Sequence, residues 1–508
     1  MKHPDTMKTT QRTAWTAPSV LLLTLILAGC SVAPVYDKPA VDTPAAYKEA
    51  APEADPRWKT ARPAEALARG QWWTVFGDAE LDRLEDRALA ANQNLKAAAA
   101  RLAQARAMLG SARAERYPEL NAGFGPSRQR PSPASRGLPD DAPSSATTLW
   151  RAQATVSYEA DLFGRIASGV DAASAQAEQS EALFRSVQLA LQADVAQNYF
   201  RMRELDAEQQ LYAATVALRE RSLKLVQRRF DEGDISELDL ARSRTELASA
   251  QAEAIEIARQ RSAAEHALAI LLGQPPASFG LPARPIARMA VTIPAGLPSE
   301  LLERRPDIAA AERAVAAANA RVGIARAAFF PRLSLTGALG YESGELGNLL
   351  DWPARAFVLG PLVGTALTLP IFDGGRRSAE LERARAAYEE DVANYRQAVL
   401  DAFREVEDNL ASLRLLDEQN RAQDAAVASA ARAAGLSQIQ YREGSVSYLD
   451  VIDADRNVLQ QRRAAVRLDG ERARATVGLI RALGGGWSEA PPSTAMVGTS
   501  MATIITTP

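Results

Sequence analysis

Ten residues decide the fold: Trp150-Arg151-Ala152-Gln153-Ala154-Thr155-Val156-Ser157-Tyr158-Glu159. The even positions are Trp, Ala, Ala, Val and Tyr; the odd positions are Arg, Gln, Thr, Ser and Glu. Successive side chains of a strand point to opposite faces, so this alternation specifies one apolar and one polar face. An aromatic ring closes each end of the apolar face. Such a length suits a tilted strand crossing a bilayer, and aromatic ends suit its two interfaces. A soluble, half-buried hairpin has the same pattern, and one strand does not separate the two.

Three more strands follow from the same period. Leu335, Gly337, Leu339 and Tyr341 alternate, as do Val363, Thr365, Leu367 and Leu369, and Leu120, Ala122 and Phe124 make a shorter first strand. They group into hairpins at about 118–160 and 331–370. The intervening stretches Pro126–Ser145 and Gly344–Pro361 read as outward-facing turns. Four strands cannot close a membrane barrel, which takes ~8 or more and tolerates no open edge in lipid. A barrel would therefore be shared, with eight strands from two chains or twelve from three. The pattern alone does not choose.

The two hairpins occupy equivalent places in a duplicated chain. Arg229-Phe230-Asp231-Glu232-Gly233 matches Gln440-Tyr441-Arg442-Glu443-Gly444 at an offset of 211. Leu238-Asp239 matches Leu449-Asp450, and Leu272-Gly273 matches Leu483-Gly484, at the same offset. Upstream, Gly110 and Ala112-Arg113-Ala114 match Gly323 and Ala325-Arg326-Ala327. The repeats span 72–285 and 298–486, with a linker at 286–297. An extended segment at 30–71 precedes them, and a Ser/Thr/Pro-rich tail at 487–508 follows, expected to be disordered.

Each repeat reads helix, strand, strand, very long helix, tight turn, long helix. Between Gly164 and Arg229 there is no Pro, and Leu381, Ala384, Tyr388, Val392, Tyr395 and Val399 step by three or four. A helix of that length reaches ~100 Å. Long heptad seams also describe a coiled-coil rod, but a rod leaves the strands unexplained. Gly233 and Gly444 supply the backbone freedom that reverses the chain between paired helices.

Beyond the second turn, Leu449 and Asp453 are four apart, and Asp450 and Asp453 three apart, so each pair shares a helix face. Facing a pore with rotational symmetry, each would become a ring: carboxylates that repel one another and attract cations, and leucines that close by contact. The plain alternative is an Asp near a helix start, favoured there by the helix dipole. In the first repeat, Asp239 matches Asp450, whereas Arg242 stands where Asp453 does. Arg242 is expected to pair with an acidic residue on a neighbouring helix.

The first thirty residues are an address. Lys2, Lys8 and Arg12 precede the apolar run Val20–Ala28, which ends in Leu27-Ala28-Gly29-Cys30. This looks like a bacterial lipoprotein signal over 1–29, with Cys30, the chain's sole cysteine, lipidated as the mature N-terminus. Ser31 after it favours the outer membrane in that class.

Composition removes other functions. The 508 residues include 59 Lys+Arg and 62 Asp+Glu, so no basic excess suggests nucleic acid. One Cys excludes an internal disulfide framework. His3 and His266 form no metal or catalytic constellation, and no phosphate-binding loop occurs, so neither enzyme nor cofactor is expected.

Taken in order, further residues resemble a known family. They are Pro34-Val35-Tyr36, Trp72-Trp73, Asp161-Leu162-Phe163-Gly164, Arg304-Arg305-Pro306-Asp307-Ile308, Phe329-Phe330-Pro331, Phe372-Asp373-Gly374-Gly375 and Tyr448-Leu449-Asp450-Val451-Ile452-Asp453. With Cys30 and the two turns, the chain resembles the TolC/OprM-type outer-membrane efflux proteins, in their NodT-like lipoprotein branch, over about residues 28–486. The resemblance implies a helical protein with transmembrane β. Long antiparallel helical hairpins would form an α-barrel continuous with a shared 12-stranded β-barrel in a homotrimer. It implies a passive duct for drugs or small toxic molecules, anchored in outer-membrane lipid and reaching into the periplasm. A periplasmic adaptor protein and an inner-membrane RND-type pump would be its partners. Leu449, Asp450 and Asp453, with Asp239 and Arg242, would form the periplasmic gate, and Gly233 and Gly444 the tip turns. Two other readings are a type I protein secretion channel, a branch that often lacks the lipid anchor, and a lipid-tethered coiled-coil scaffold.

Overall fold

A computed structural model describes residues 32–49, 71–137, 145–288, 304–359 and 366–485, with 139, 143 and 302. The leader with Cys30, the linker from 289, Val363, Thr365 and the tail from 487 lie outside the described residues. Among the described residues both repeats run from helix to strands to a very long helix and a long helix, with one further leading helix in the first repeat and the last strand position split in two in the second. The first holds α1 (Ala79–Ala91), α2 (Gln93–Ala114), β1 (Glu119–Gln129), β2 (Thr147–Ala160), α3 (Arg165–Asp231) and α4 (Glu237–Leu271). The second holds α5 (Pro306–Ala327), β3 (Arg332–Ser343), β4 (Arg355–Leu359), β5 (Leu367–Thr368), α6 (Arg376–Arg442) and α7 (Tyr448–Ala482). The duplication extends to length: α3 and α6 each have 67 residues, and α4 and α7 each have 35. No described helix is long and apolar enough to cross a membrane.

The chain divides into two compact units, one of Met1–Val41, Ala99–Leu183 and Asp307–Ala398, the other of Asp42–Ala98, Phe184–Pro306 and Val399–Pro508. The first carries the sheet, antiparallel in the order β1-β2-β3-β4, with β5 also on β3. Two strands depart from the sequence reading. β1 continues past Phe124 through Pro126, which pairs with Trp150, and proline is tolerated in the outer strand of a sheet. The fourth strand begins at Arg355, inside the stretch read as a turn. Its sequence Arg-Ala-Phe-Val-Leu puts Ala356 and Val358 on the polar face, which hides the period.

Register sorts the sheet into two faces. One aligns Phe124, Ala152, Tyr341 and Arg355 across the strands, then Ala122, Ala154, Leu339 and Phe357, then Leu120, Val156 and Gly337. The other aligns Asn121, Thr155 and Ala338, and carries the Arg151–Glu342 ion pair at 2.8 Å. The apolar face is bare in a single chain: Leu120, Phe124, Leu339 and Phe357 are 66–74 % exposed. Gly340 lets two strands approach. A Cβ there would sit 2.5 Å from Gln153 Cα and closer still to the Ala152 carbonyl oxygen. In the same unit the N-terminal segment lies along α5. Asn319 donates to the Pro34 carbonyl at 3.0 Å, the Tyr36 hydroxyl donates to Glu312 at 2.8 Å, and Ala33 fits against Gly323.

The second unit holds the largest core. Trp72, Trp73, Leu81, Leu84, Ala88 and Leu95 pack with Leu191–Met202 of α3, Leu268 and Leu272, and Ala473, Val477 and Ile480 of α7. Equivalent helix ends are capped differently in the two repeats. Asn92 donates to the Leu271 carbonyl at 2.8 Å, and Arg305 to the Ala482 carbonyl at 3.1 Å. Arg261 of α4 is satisfied by buried Asp206 at 2.6 Å, and its counterpart Arg472 stands 3.7 Å from Asp417. Glu85 of α1 is fully buried with no hydrogen-bond partner for either oxygen among the described residues. Burial, reinforced by Asp86 and Asp82, pushes its carboxyl up to about 9.

Two outcomes follow from these contacts. Gly340→Ala should cut the yield of folded protein several-fold, whereas Gly123→Ala, with open space around its Cβ, should not. Equal yields would contradict the register. Glu85 stays protonated in the folded chain but ionises near 4.5 once unfolded, so its contribution is full below that pH and is lost as pH rises toward 9. Thermal unfolding should show Glu85→Gln gaining on the wild type between pH 5 and pH 8.5, by at most about 1.4 kcal/mol per pH unit. A pH-independent difference would contradict the assignment.

Candidate functional site

The two helical turns are built alike. At Gly233 (φ 81°) its N–H donates to Phe230 C=O at 2.9 Å, and Asp234 N–H donates to Arg229 C=O at 2.8 Å. At Gly444 (φ 77°) the same bonds run from Gly444 to Tyr441 at 3.1 Å and from Ser445 to Gln440 at 2.9 Å. This pairing ends a helix and needs a left-handed residue, which glycine adopts without a Cβ clash. The second unit brings the two turns together. Arg229 donates to the Tyr441 hydroxyl at 3.0 Å, and the Tyr448 hydroxyl meets Ser243 Oγ at 3.4 Å. Val226, Leu240, Tyr448, Val451 and Ile452 form the small core beneath.

α7 starts with Tyr448, Val451 and Ile452 turned into that core, which leaves Leu449, Asp450 and Asp453 on its exposed side. The spacing argument for one shared face therefore describes the geometry. Asp450 accepts from Ser447 N–H at 2.8 Å and Ser447 Oγ at 2.7 Å, and these bonds hold its carboxyl below the usual range. It thus satisfies the helix start as well as facing outward. Asp239 repeats this role, accepting from Ser236 Oγ at 3.2 Å. Arg242 was expected to reach a neighbouring helix. Within one chain its partner is Asp239, one turn back, at 3.4 Å. Asp453 is 61 % exposed and lies 3.3 Å from Arg456.

A run of ion pairs escaped the sequence reading. Arg456, Arg463, Arg467 and Arg474 of α7 face carboxylates of α3 and α4. Arg456 Nε bonds Glu246 at 2.9 Å, Arg463 and Arg467 each bond Glu208 at 2.9 Å, and Arg474 pairs with Glu204. Glu208 and Glu204 are essentially buried, and Glu246 nearly so. Glu246 also faces Arg219 at 3.3 Å, and Arg219 stands 3.7 Å from Asp455. Burial raises the Asp455 and Glu204 carboxyls, with Arg219 and Arg474 respectively opposing it. Gly470 makes the room: a Cβ there would lie 2.7 Å from Glu204 Cδ. The available signal was arginine spacing of seven, four and seven. It has no counterpart in α4, where Thr245, Ala252, Glu256 and Ala263 occupy the matching positions.

The polar face of the sheet ends at a cavity of about 460 Å³ lined by Glu115, Glu119, Ser157, Glu159, Arg165 and Thr336. Arg165 grips Glu159 through two bonds of 2.7 and 3.0 Å.

Comparison with known proteins agrees in kind. The sequence model of the family described as "Outer membrane efflux protein" matches residues 84–274 and 297–485. Outer membrane protein OprJ of Pseudomonas aeruginosa is 38% identical over 474 residues, covering 93% of this chain and 96% of its own. The toluene efflux pump outer membrane protein TtgI of Pseudomonas putida is 35% identical over 479 residues, covering 91% and 97%. The open state of the MtrE outer membrane channel of Neisseria gonorrhoeae superposes with a TM-score of 0.75 at 31% identity, covering 90% and 98%. The chain belongs to the outer membrane efflux protein family, of the TolC/OprM type.

Proposed function

We propose that three copies of this chain form one passive duct, the outer-membrane stage of a tripartite pump. The observation that carries this reading is the sheet: one apolar face bare in a single chain, one polar face, and two outer strands left without a further neighbour. Three copies supply twelve full strand positions, enough to enclose water, whereas eight would be filled by side chains. In this reading the apolar face meets lipid, the Arg151–Glu342 face lines the channel, and Cys30 carries acyl chains that tether the assembly. Acylation at ~0.8 kcal/mol per buried CH₂ makes such an anchor stable with more than one chain.

The helical turns form the periplasmic tip. Threefold symmetry turns Leu449, Asp450 and Asp453 into stacked rings that close the duct, with the Asp239–Arg242 pair beside them. The exposed positions of these side chains on α7 support that role. A periplasmic adaptor and an RND-type inner-membrane pump bind the open state better than the closed one and thereby shift the equilibrium. The cargo is small toxic molecules or drugs: TtgI serves toluene efflux by its name, and efflux rather than protein secretion describes the relatives.

Planar-bilayer recording of the purified protein tests the gate. Wild type should conduct weakly and Asp453→Ala several-fold more, because the variant loses the ring of three carboxylates while Arg456 keeps Glu246 as its partner. Equal conductance in the two would remove Asp453 from the gate. No channels in either would remove the duct.

A further inference from the structure

The charges on the strands are segregated in a way that channel lining does not explain. Every carboxylate of the described strands, Glu119, Glu159 and Glu342, stands on the polar face. The apolar face carries none. It does carry two arginines, and both lie at the end of the sheet where β1 turns toward β2 and β3 toward β4. Arg128 pairs with Thr148 near the end of β1, and Arg355 opens β4 opposite Tyr341. Arg130 follows just beyond β1. All three side chains are exposed, and Arg128 and Arg130 have no acceptor among the described residues.

Arg355 is preorganised. Its Nε donates to the Trp352 carbonyl at 2.8 Å and its guanidinium lies over the Trp352 ring, which keeps both terminal nitrogens at the loop end. Around these arginines stand apolar and aromatic groups: Phe124 stacked on Trp150 at 5.9 Å, Tyr341, and Leu350 and Trp352, 74 % and 73 % exposed. Arginines near the bilayer interface are tolerated and are free to meet an anion there. A guanidinium fork matches phosphate oxygens in geometry and charge. Aromatic and leucine side chains suit acyl chains and the interface.

We propose that this rim binds the phosphates of a bis-phosphorylated glycolipid of the outer leaflet. The inference rests on the membrane-barrel reading. In a closed ring β4 of one copy lies beside β1 of the next, so Arg355 comes from one subunit and Arg128 and Arg130 from its neighbour. The lipid therefore lies across the seam between copies and bridges it. The strands put no carboxylate on this face, and the exposed carboxylates of the β3–β4 loop are Glu345 and Asp351.

The test uses the full-length assembled protein in lipid nanodiscs and three probes: bis-phosphorylated lipid A, the same lipid A with its phosphates removed, and phosphatidylglycerol. Wild type should bind the first about tenfold more tightly than either of the others, the discrimination of one charge-assisted hydrogen bond or more. Arg128→Gln with Arg130→Gln should erase that preference, and Arg355→Gln alone should do the same. Arg151→Gln, on the polar face and paired with Glu342, should leave it intact. Equal binding of dephosphorylated lipid A or of phosphatidylglycerol overturns the proposal, as does wild-type preference in the arginine variants. A protein that enters no bilayer refutes the barrel itself, whereas one that inserts without discriminating refutes the lipid site alone.

Discussion

A strand edge in hydrocarbon leaves every second N–H and C=O unpaired, at several kcal/mol per group. That constraint governs this protein. β1 and β4 are the outer strands of the sheet, and one face of that sheet is too apolar for water. The chain therefore cannot finish its own structure in a membrane. In the proposed assembly other copies complete it: each added copy pairs one open edge, and the last closes the ring. In the proposed trimer, symmetry would turn a lone exposed carboxylate such as Asp453 into a ring.

Duplication explains the scaffold but not its chemistry. The two repeats share helix lengths, the Gly233 and Gly444 turns, and the Asp206–Arg261 and Asp417–Arg472 pairs. They differ where α7 carries arginines and α4 carries threonine, alanine and glutamate. Those arginines meet Glu208, Glu204 and Glu246, so the last helix is fixed by charge where the matching helix is not. Buried ion pairs of this kind add little net stability, but breaking one partner costs several kcal/mol, so they enforce a single register.

Much of this was legible in the residues. The alternation in Trp150–Glu159 set the strand and its two faces, but not whether one of them meets lipid. The 211-residue offset set the architecture, and the glycines set the ends of the helices within two residues. The start of β4 was not legible, because Ala356 and Val358 are apolar on the polar side and erase the alternation. Nor was the helix-capping role of Asp450, which depends on where Ser447 leaves the helix. The arginine ladder was invisible for a different reason. Its carboxylates lie more than two hundred residues away, and only packing of α7 on α3 and α4 brings them within reach.

The central claim is closure by copies, and the number of chains in one membrane-inserted particle measures it most directly. Native mass spectrometry of the protein released from nanodiscs, with amide exchange read on β1 and β4, gives both the count and the state of the edges. Three chains with both outer strands protected is the predicted result. A single stably inserted chain, or three chains whose β1 and β4 amides exchange freely, would contradict the account.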